Sequence, residues 1–139
     1  MSIKEILSEC KTIAVVGISR DSTKDSNIVS KYMKEKGYKI IPINPNSTEI
    51  FGEKCYPTLS NIPEEIQKRI DIVNIFRPSN DAAEITFDAI KIKKKSSAIK
   101  VIWMQLGISN QQAAFEAEKA GIKVIMDRCI MVEHRKCMY

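Results

Sequence analysis

Apolar residues occur along this chain in five short runs that are separated by longer amphipathic segments. The runs lie at residues 13–16, 40–43, 70–76, 98–105 and 122–127. Short apolar runs bounded by turn residues are typical of strands covered on both faces. Between the first two runs, Ile28, Val29, Tyr32 and Met33 share one helical face. The pattern therefore predicts strands that alternate with helices.

This alternation predicts a parallel sheet, because a connection between parallel neighbours must cross over one face of the sheet. We expect an α/β fold: a Rossmann-like, doubly wound sheet of five parallel strands with helices on both faces. The 139 residues, 44% of them hydrophobic, suffice for one core, and no linker or repeat divides them. The chain is predicted to form a single domain over residues 1–139.

Capping residues predict where several helices begin. Ser2 and Glu5 are spaced as a capping box for an N-terminal helix, and Ser109 and Gln112 repeat that spacing after the fourth run. Asn80 is placed to cap the helix that follows the third run. These positions predict the boundaries of three helices.

The other segments are predicted from spacing and turn residues. Residues 46–63 are expected to be mainly loop, and the tail after residue 127 is expected to form a final short element on the core. On the helix after the third run, Ala83, Phe87 and Ile90 form a stripe that is expected to face the sheet.

In a doubly wound sheet, a ligand binds outside the carboxyl ends of the strands, where the strand order switches. The predicted strand ends lie at residues 17–19, 44–45, 76–78, 103–105 and 127–129. We therefore expect the functional site among these residues.

The loop after the first strand has features of a phosphate site. Gly17 and Ser19 are small enough for an anion to approach, and a helix N terminus with unpaired N–H groups follows. Arg20 and Lys24 add positive charge. The glycine fingerprint of dinucleotide sites is incomplete, because Ser19 and Ser22 replace its second and third glycines. The alternative is a plain strand-to-helix turn without a ligand.

The ends of the other strands add further candidates. The second strand ends at Asn44 and Pro45 with no carboxylate, which suits a ligand carrying a ribose phosphate better than NAD. Arg77 follows a buried strand directly and requires an anion, a carbonyl group or water. Phe76 and Trp103 are candidates either for ligand contact or for the core.

The net charge of +5 favours an anionic ligand. The densest basic run, at residues 91–95, lies at the end of a predicted helix, where a solvated face is the usual explanation. No aromatic-basic RNA signature or recognition helix accompanies it, so no nucleic-acid partner is expected. Because no stretch reaches membrane-spanning length and no signal peptide is found, we expect a cytoplasmic protein without a membrane partner.

The four cysteines are expected to be reduced thiols, because they form no C-x-x-C pair and accompany no secretory feature. Cys129, His134 and Cys137 match no zinc spacing, so no metal site is predicted. His134 is the only histidine, which argues against a histidine-based catalytic triad.

A series of motifs, in order and nearly end to end, carries a family resemblance. They are VVGISRDSTKDSNIVSKYM, GYKIIPINPN, FGEKCYPTLSNIP, DIVNIFRPS, VIWMQLGI, AAFEAEKAGIKVIMDRC and MVEH. Together they resemble the small stand-alone CoA-binding proteins, whose Rossmann-like domain is similar to the CoA-binding domain of the succinyl-CoA synthetase α-subunit.

The resemblance implies that coenzyme A binds along the strand ends. Its phosphates would lie on the loop after the first strand, formed by Gly17, Ile18, Ser19, Arg20 and Lys24. The nucleotide would lie beside Asn44 and Pro45. Adenine or pantetheine would be flanked by Phe76, Arg77 and Pro78. The pantetheine path would be lined by Trp103 and Gln105.

The resemblance also bears on activity. The synthetases catalyse through a phosphorylated histidine in a second domain, whereas His134 matches the EH pattern of the small family. We therefore expect no catalysis by this domain alone, and a role as a carrier, a sensor or a partner of an acyl-CoA enzyme. The alternatives are an NAD(P)-binding oxidoreductase or redox sensor, and an interaction protein without a ligand.

Cys129 follows the fifth predicted strand and is a candidate redox thiol. The thiol of a bound CoA could form a mixed disulfide with it under oxidising conditions. Arg128 and His134 would favour the reactive thiolate. The alternative is an inert cysteine packed among aliphatic residues.

Overall fold

The computed structural model describes residues 1–138. In chain order, the elements are α1 (Ile3–Glu9), β1 (Thr12–Val16), α2 (Asp25–Glu35), β2 (Lys39–Ile43), β3 (Glu49–Ile50), β4 (Glu53–Lys54), a 3-10 helix (Leu59–Asn61), α3 (Glu64–Gln67), β5 (Ile72–Ile75), α4 (Ser79–Ser96), β6 (Val101–Met104), α5 (Gln111–Lys119), β7 (Lys123–Ile125) and α6 (Ile130–Met138).

Five strands form one parallel sheet in the order β2-β1-β5-β6-β7. The chain leaves β1 for β2 on one side and then returns past β1 to β5, so the strand order switches between β1 and β5. Val16 lies opposite Ile43 in β2 and Ile75 in β5, so the loops after these three residues begin at one level. The predicted Rossmann-like α/β fold is confirmed.

Each face of the sheet carries its own apolar cluster. Ala14 packs in a cluster with residues of α4 and α5, whereas its neighbour Ile13 packs in a cluster with residues of α1, α2 and α6. Successive strand residues point to opposite faces, which explains this separation. Among residues 1–138, no helix combines the length and apolar character needed to cross a membrane.

Two of the three predicted helix starts are shifted. The capping box of Ser2 and Glu5 is confirmed. Asn80 lies inside α4, which begins one residue earlier, after Pro78. At α5 the cap is Asn110, whose side chain accepts the N–H of Ala113. The N–H of Ser109, which the predicted capping box would donate to Gln112, is instead donated to the hydroxyl group of Ser79 at the start of α4.

The buried face of α4 is rotated relative to the predicted stripe. Ala83 and Phe87 are exposed, Phe87 at 62% of its surface, although Ile90 is buried as expected. Ala82 and Ala89 face the sheet instead, and both are fully buried. Small residues let the helix approach the sheet closely. This close packing determines how α4 is rotated and leaves the ring of Phe87 in solvent.

The segment predicted as loop contains a short hairpin, β3 and β4, whose turn has positive φ at Phe51 and Gly52. After the hairpin, Tyr56 donates its N–H to the carbonyl of Pro42 and accepts the N–H of Asn44. These bonds protect the outer edge of β2, a part of the sheet that would otherwise expose unpaired groups.

The predicted final element is α6, which packs on α1 and α2. Its Ile130 is fully buried, and Nδ1 of His134 lies 2.9 Å from the hydroxyl group of Tyr32. The ring of His134 also meets the rings of Tyr32 and Tyr38 edge-on. The histidine is therefore part of the packing between helices.

The burial of His134 predicts how stability depends on pH. Burial lowers the pKa of His134 below 6.5, and the nearby charges of Lys36 and Lys11 lower it further. Below pH of about 6.5, the unfolded chain therefore takes up a proton that the folded chain resists. We expect the free energy of unfolding to fall as pH drops from that value through the folded-state pKa.

Urea denaturation at about pH 7.5 and pH 5.5 measures this effect. The variant His134→Gln should be less stable at the higher pH and should show a shallower decline. An equally steep decline in the variant would assign the pH dependence to other groups.

Candidate functional site

A cleft of about 430 Å³ opens at the carboxyl edge of the sheet. It lies between α4, the ends of β1 and β2, and residues 57–59. Four of the predicted site residues line it: Gly17, Asn44, Pro45 and Arg77. The cleft therefore adjoins the switch in strand order, where doubly wound sheets bind their ligands.

Gly17 is required by both conformation and space. Its φ is +91°, and a Cβ atom there would lie 2.9 Å from Cδ of Arg77 and 3.1 Å from the carbonyl oxygen of Phe76. Its N–H donates to the carbonyl of Ile43 at 2.9 Å. The end of β1 is thus held against both neighbouring strands, with no room for a side chain.

The loop after Gly17 is fixed by its own hydrogen bonds. The N–H of Ser19 donates to Oγ of Ser26 at 2.9 Å, and Nδ2 of Asn27 donates to the carbonyl of Ser19 at 2.8 Å. The carboxylate of Asp21 accepts two bonds from Thr23. Because the N–H of Ser19 is already bonded, this group is not available to an anion in this conformation.

The two basic residues of the loop remain at the surface. Arg20 and Lys24 are exposed, and neither forms an ion pair within residues 1–138. Lys24 is the N-cap residue of α2, and its own side chain makes no capping hydrogen bond. Free N–H groups and the positive end of the helix dipole thus lie beside two cations.

Asn44 connects the loop after β1 with the end of β2. Its Nδ2 donates to the carbonyl of Ile18 at 2.8 Å, and its Oδ1 accepts the N–H of Asn46 at 2.7 Å. The side chain of Ile18 is fully buried, so only its backbone is placed to meet a ligand. Pro45 is exposed on the wall of the cleft.

Arg77 lines the cleft and is bonded to Asp81 of α4. Its Nε and Nη2 donate to Oδ2 of Asp81 at 3.2 and 2.8 Å. Both side chains are about half exposed, so the pair contributes little to stability. Phe76 is half-buried against the cluster on the other face, and Pro78 is the exposed N-cap of α4.

Three carboxylates on α4 line the cleft, and sequence reasoning missed them. Asp81, Glu84 and Asp88 share one helix face because they are three and four residues apart. This spacing is visible in the sequence and could have predicted an acidic face on α4. The end of β2 carries the uncharged Asn44, and the carboxylates of the cleft are supplied by α4 instead. Within residues 1–138, no three acidic, cysteine or histidine side chains are grouped to hold a metal ion.

The structure does not bring Trp103 and Gln105 to the cleft. Trp103 is fully buried, and its Nε1 donates to the carbonyl of Arg128 at 2.8 Å. Gln105 is 5% exposed, and its Oε1 accepts the N–H of Ile130 at 2.9 Å and Nδ2 of Asn74 at 3.3 Å. In this conformation both side chains hold the start of α6, and a pantetheine contact would require them to move.

Cys129 is half-buried and packs against the cluster on the face opposite α4. It does not line the cleft. The redox role of Cys129 therefore stays a prediction, which intact-mass measurement after incubation with CoA disulfide tests, with Cys129→Ser as the comparison.

Comparisons with known proteins identify a family and several similar chains. A family model described as a CoA binding domain matches residues 11–135. The uncharacterized protein YneT of Bacillus subtilis (strain 168) is 40% identical over 132 residues, which cover 95% of this chain and 91% of YneT. A solved structure of a hypothetical protein from Pyrococcus horikoshii OT3 is 37% identical, with a TM-score of 0.88 over 99% of this chain and 90% of that one.

A larger enzyme contains a similar region. The ADP-forming acetate–CoA ligase II of Archaeoglobus fulgidus is 39% identical over 62 residues, which cover 43% of this chain. The matched region is 9% of the ligase, so the likeness concerns a small part of that protein.

Proposed function

This chain belongs to the CoA binding domain family, and from that membership we propose that its cleft binds coenzyme A or an acyl-CoA. The observation that carries the proposal is the position of the cleft beside the switch in strand order, with Gly17 on its wall. A nucleotide there would lie beside the backbone at the end of β1, where the stem of Arg77 also packs.

The charges suggest how CoA would lie. The pyrophosphate would bind at the uncapped N terminus of α2, beside Arg20 and Lys24. The adenosine would occupy the cleft, whose walls combine apolar residues such as Ile43 and Leu59 with hydrogen-bonding groups. Phe76 and Pro78, at the start of α4, remain candidates to flank the adenine or pantetheine.

The proposed role is a non-catalytic one: a carrier, a sensor or the partner of an acyl-CoA enzyme. The similar region of an ADP-forming acetate–CoA ligase supports a partnership, because there such a region is part of a CoA enzyme. The activity of the whole ligase is not transferred, since this chain matches only a small part of it.

One observation favours the second candidate, an NAD(P)-binding oxidoreductase or redox sensor. The α4 carboxylates could accept hydrogen bonds from ribose hydroxyl groups, as a carboxylate does in NAD sites. Calorimetric titration of the full chain with CoA, acetyl-CoA, NAD and NADP separates the candidates. Tighter binding of NAD or NADP than of CoA would overturn the first proposal, and binding of none would favour an interaction protein.

Charge removal at the loop is expected to weaken CoA binding. Arg20→Ala and Lys24→Ala should each lower the affinity by about 1 kcal/mol, because a phosphate contact is lost at a solvated position. The affinity for dephospho-CoA should fall by the same amount if the pyrophosphate is the group that these side chains contact. Calorimetry measures both ligands.

Lys4→Ala is the matched control, since Lys4 is an exposed lysine on α1, away from the cleft. The affinity of the Lys4→Ala variant for CoA should equal that of the unmodified chain. Equal losses in all three variants would show a general charge effect and would contradict the assignment of the loop.

A further inference from the structure

Exposed apolar side chains lie at the carboxyl edge of the sheet, near the starts of α2 and α6. We call this group the edge patch: Ile28, Leu106 and Val132. Leu106 exposes 70% of its surface, and the loop that carries it is held on both sides. Oε1 of Gln105 accepts the N–H of Ile130 at 2.9 Å. The N–H of Gly107 donates to Oδ1 of Asp127 at 2.6 Å. Leu106 is therefore fixed beside the start of α6.

The other two members of the edge patch come together through the packing of α2 on α6. Both helices begin at the carboxyl edge, after β1 and β7, and run away from it. The hydroxyl group of Tyr32 lies 2.9 Å from Nδ1 of His134, and the centre of its ring lies 5.0 Å from Cζ of Arg135. Ile28 precedes Tyr32 by one helical turn, and Val132 precedes Arg135 by nearly one turn. Both therefore lie one turn nearer to the edge than this contact.

A buried hydrogen-bond donor at the start of α6 has no partner. Oε1 of Gln105 is bonded to Ile130 and Asn74, which fixes the orientation of the amide, but Nε2 donates to no group among residues 1–138. In the same part of the chain, the unpaired side-chain atoms that are fully enclosed are Oγ of Ser30 and Oγ1 of Thr86. Nε2 of Gln105 is thus open to a molecule from outside. A carbonyl oxygen that arrives on the α6 side of the edge, rather than in the cleft, can accept its N–H without displacing the side chain.

We infer, on the basis of the proposed function, that the edge patch and Gln105 form an acyl site that selects acyl-CoA with an apolar chain over free CoA. With adenosine in the cleft and the pyrophosphate at the start of α2, CoA crosses from the α4 face of the sheet to the face covered by α2 and α6. Beyond the pyrophosphate, the pantetheine arm therefore lies on the side of the edge patch. The thioester oxygen accepts the N–H of Gln105, and the acyl chain covers the patch. Free CoA lacks both contributions.

The extent of the edge patch suits an acyl chain better than a protein partner. A stable protein interface buries roughly 800 Å² on each partner, drawn from about 20–30 residues. The edge patch is much smaller, and exposed charged residues border it: Lys24 lies one turn before Ile28, and Arg128 lies just before α6. A short aliphatic chain can cover the apolar side chains while these charges remain in water.

The test compares ligands that differ only in the group on the CoA sulfur. The full chain is titrated by calorimetry with CoA, acetyl-CoA, butyryl-CoA and hexanoyl-CoA. S-hexyl-CoA, a thioether with a chain of the same length but no carbonyl oxygen, isolates the contribution of Gln105. The variants are Leu106→Ser and Val132→Thr. The matched control is Phe115→Ser, which changes an exposed apolar residue of α5, on the other face of the sheet. Circular dichroism confirms that each variant is folded.

Affinity should rise from acetyl-CoA through butyryl-CoA to hexanoyl-CoA, by roughly two- to fivefold at each step, because each step adds methylene groups that the patch covers in part. S-hexyl-CoA should bind roughly two- to tenfold more weakly than hexanoyl-CoA, because Nε2 loses its acceptor. Leu106→Ser and Val132→Thr should each lower the affinity for hexanoyl-CoA relative to that for CoA by roughly two- to fivefold. Phe115→Ser should leave that ratio unchanged.

The inference is overturned if affinity does not depend on chain length, or if Leu106→Ser and Phe115→Ser change the ratio equally. Equal affinity for hexanoyl-CoA and S-hexyl-CoA would remove Gln105 from the site. A dimer in sedimentation velocity that Leu106→Ser dissociates, with an unchanged ratio, would assign the patch to a contact between copies of the chain instead. In each of these cases CoA still binds, so the proposed function survives. Failure of every ligand to bind would overturn the proposed function and the inference with it.

Discussion

Replacing Trp103 with alanine is expected to lower the free energy of unfolding by about 3–5 kcal/mol. The indole is fully buried in the second strand from the β7 edge, and its Nε1 holds the carbonyl of Arg128 before α6. Its removal leaves a cavity and an unpaired carbonyl together. Because small domains are stable by only about 5–15 kcal/mol, the variant should be close to unfolding.

Urea denaturation followed by circular dichroism measures the loss for Trp103. The variant Trp103→Phe keeps most of the ring but not the N–H, so it should lose about 1–3 kcal/mol for the unpaired carbonyl. The control is Phe115→Ala on α5, an aromatic residue that is 59% exposed, where the change should stay within about 0.5 kcal/mol.

The same variants distinguish a core residue from a ligand contact. If Trp103 lined a pantetheine path, Trp103→Phe would lose CoA affinity while keeping its stability. We expect the reverse: a loss of stability with unchanged CoA affinity in the fraction that is folded. If Trp103→Phe had normal stability but weakened CoA binding, the pantetheine contact that the family resemblance implies would be supported instead.

Replacing Gly17 with alanine is expected to impair folding and binding together. The residue has φ of +91°, which costs a non-glycine residue about 1–2 kcal/mol. The new methyl group would also lie 2.9 Å from Cδ of Arg77 and 3.1 Å from the carbonyl of Phe76. Either the end of β1 or the start of α4 must move, and both border the cleft.

Gly37→Ala is a matched control for Gly17→Ala. Gly37 has φ of +98°, and a Cβ atom at this position would meet no other atom within 4 Å, so its variant carries the backbone strain without the collision. We expect Gly17→Ala to lose about 1–3 kcal/mol more stability than Gly37→Ala. Only Gly17→Ala should weaken CoA binding, by at least about tenfold.

Denaturation and calorimetry on the two glycine variants measure these differences. Combining Gly17→Ala with Arg77→Ala should recover part of the lost stability, because the arginine stem is the nearest obstacle. If the two single variants lost equal stability and both bound CoA normally, the close approach at Gly17 would have no functional role.

Much of the fold is determined by local sequence. The apolar run of β1 ends at Gly17, and each later apolar run also ends where the residue type changes. The strands could therefore be located from local sequence alone, without knowing which strands are adjacent in the sheet. Parallel strands joined by helices then allow few topologies. The capping box of Ser2 and Glu5 was also predictable, because both partners lie within one helical turn.

The tertiary structure decided the features that depend on distant residues. Asn110 caps α5, and its Nδ2 donates to the carbonyl of Ser79, thirty-one residues earlier, while Ser79 Oγ accepts the N–H of Ser109. The rotation of α4 follows from how closely Ala82 and Ala89 approach the sheet, and it leaves Phe87 in solvent.

The candidate site was also predicted only in part from the sequence, and the tertiary structure decided the rest. Sequence placed Gly17, Asn44, Pro45 and Arg77 at strand ends, and parallel register brings strand ends to one edge of the sheet, where these four line the cleft. Sequence could not show that Trp103 turns into the core, nor that α4 aims its carboxylates at the cleft. Which face a side chain takes at the end of a strand, and which way a helix is rotated, depend on packing against residues far away in the chain.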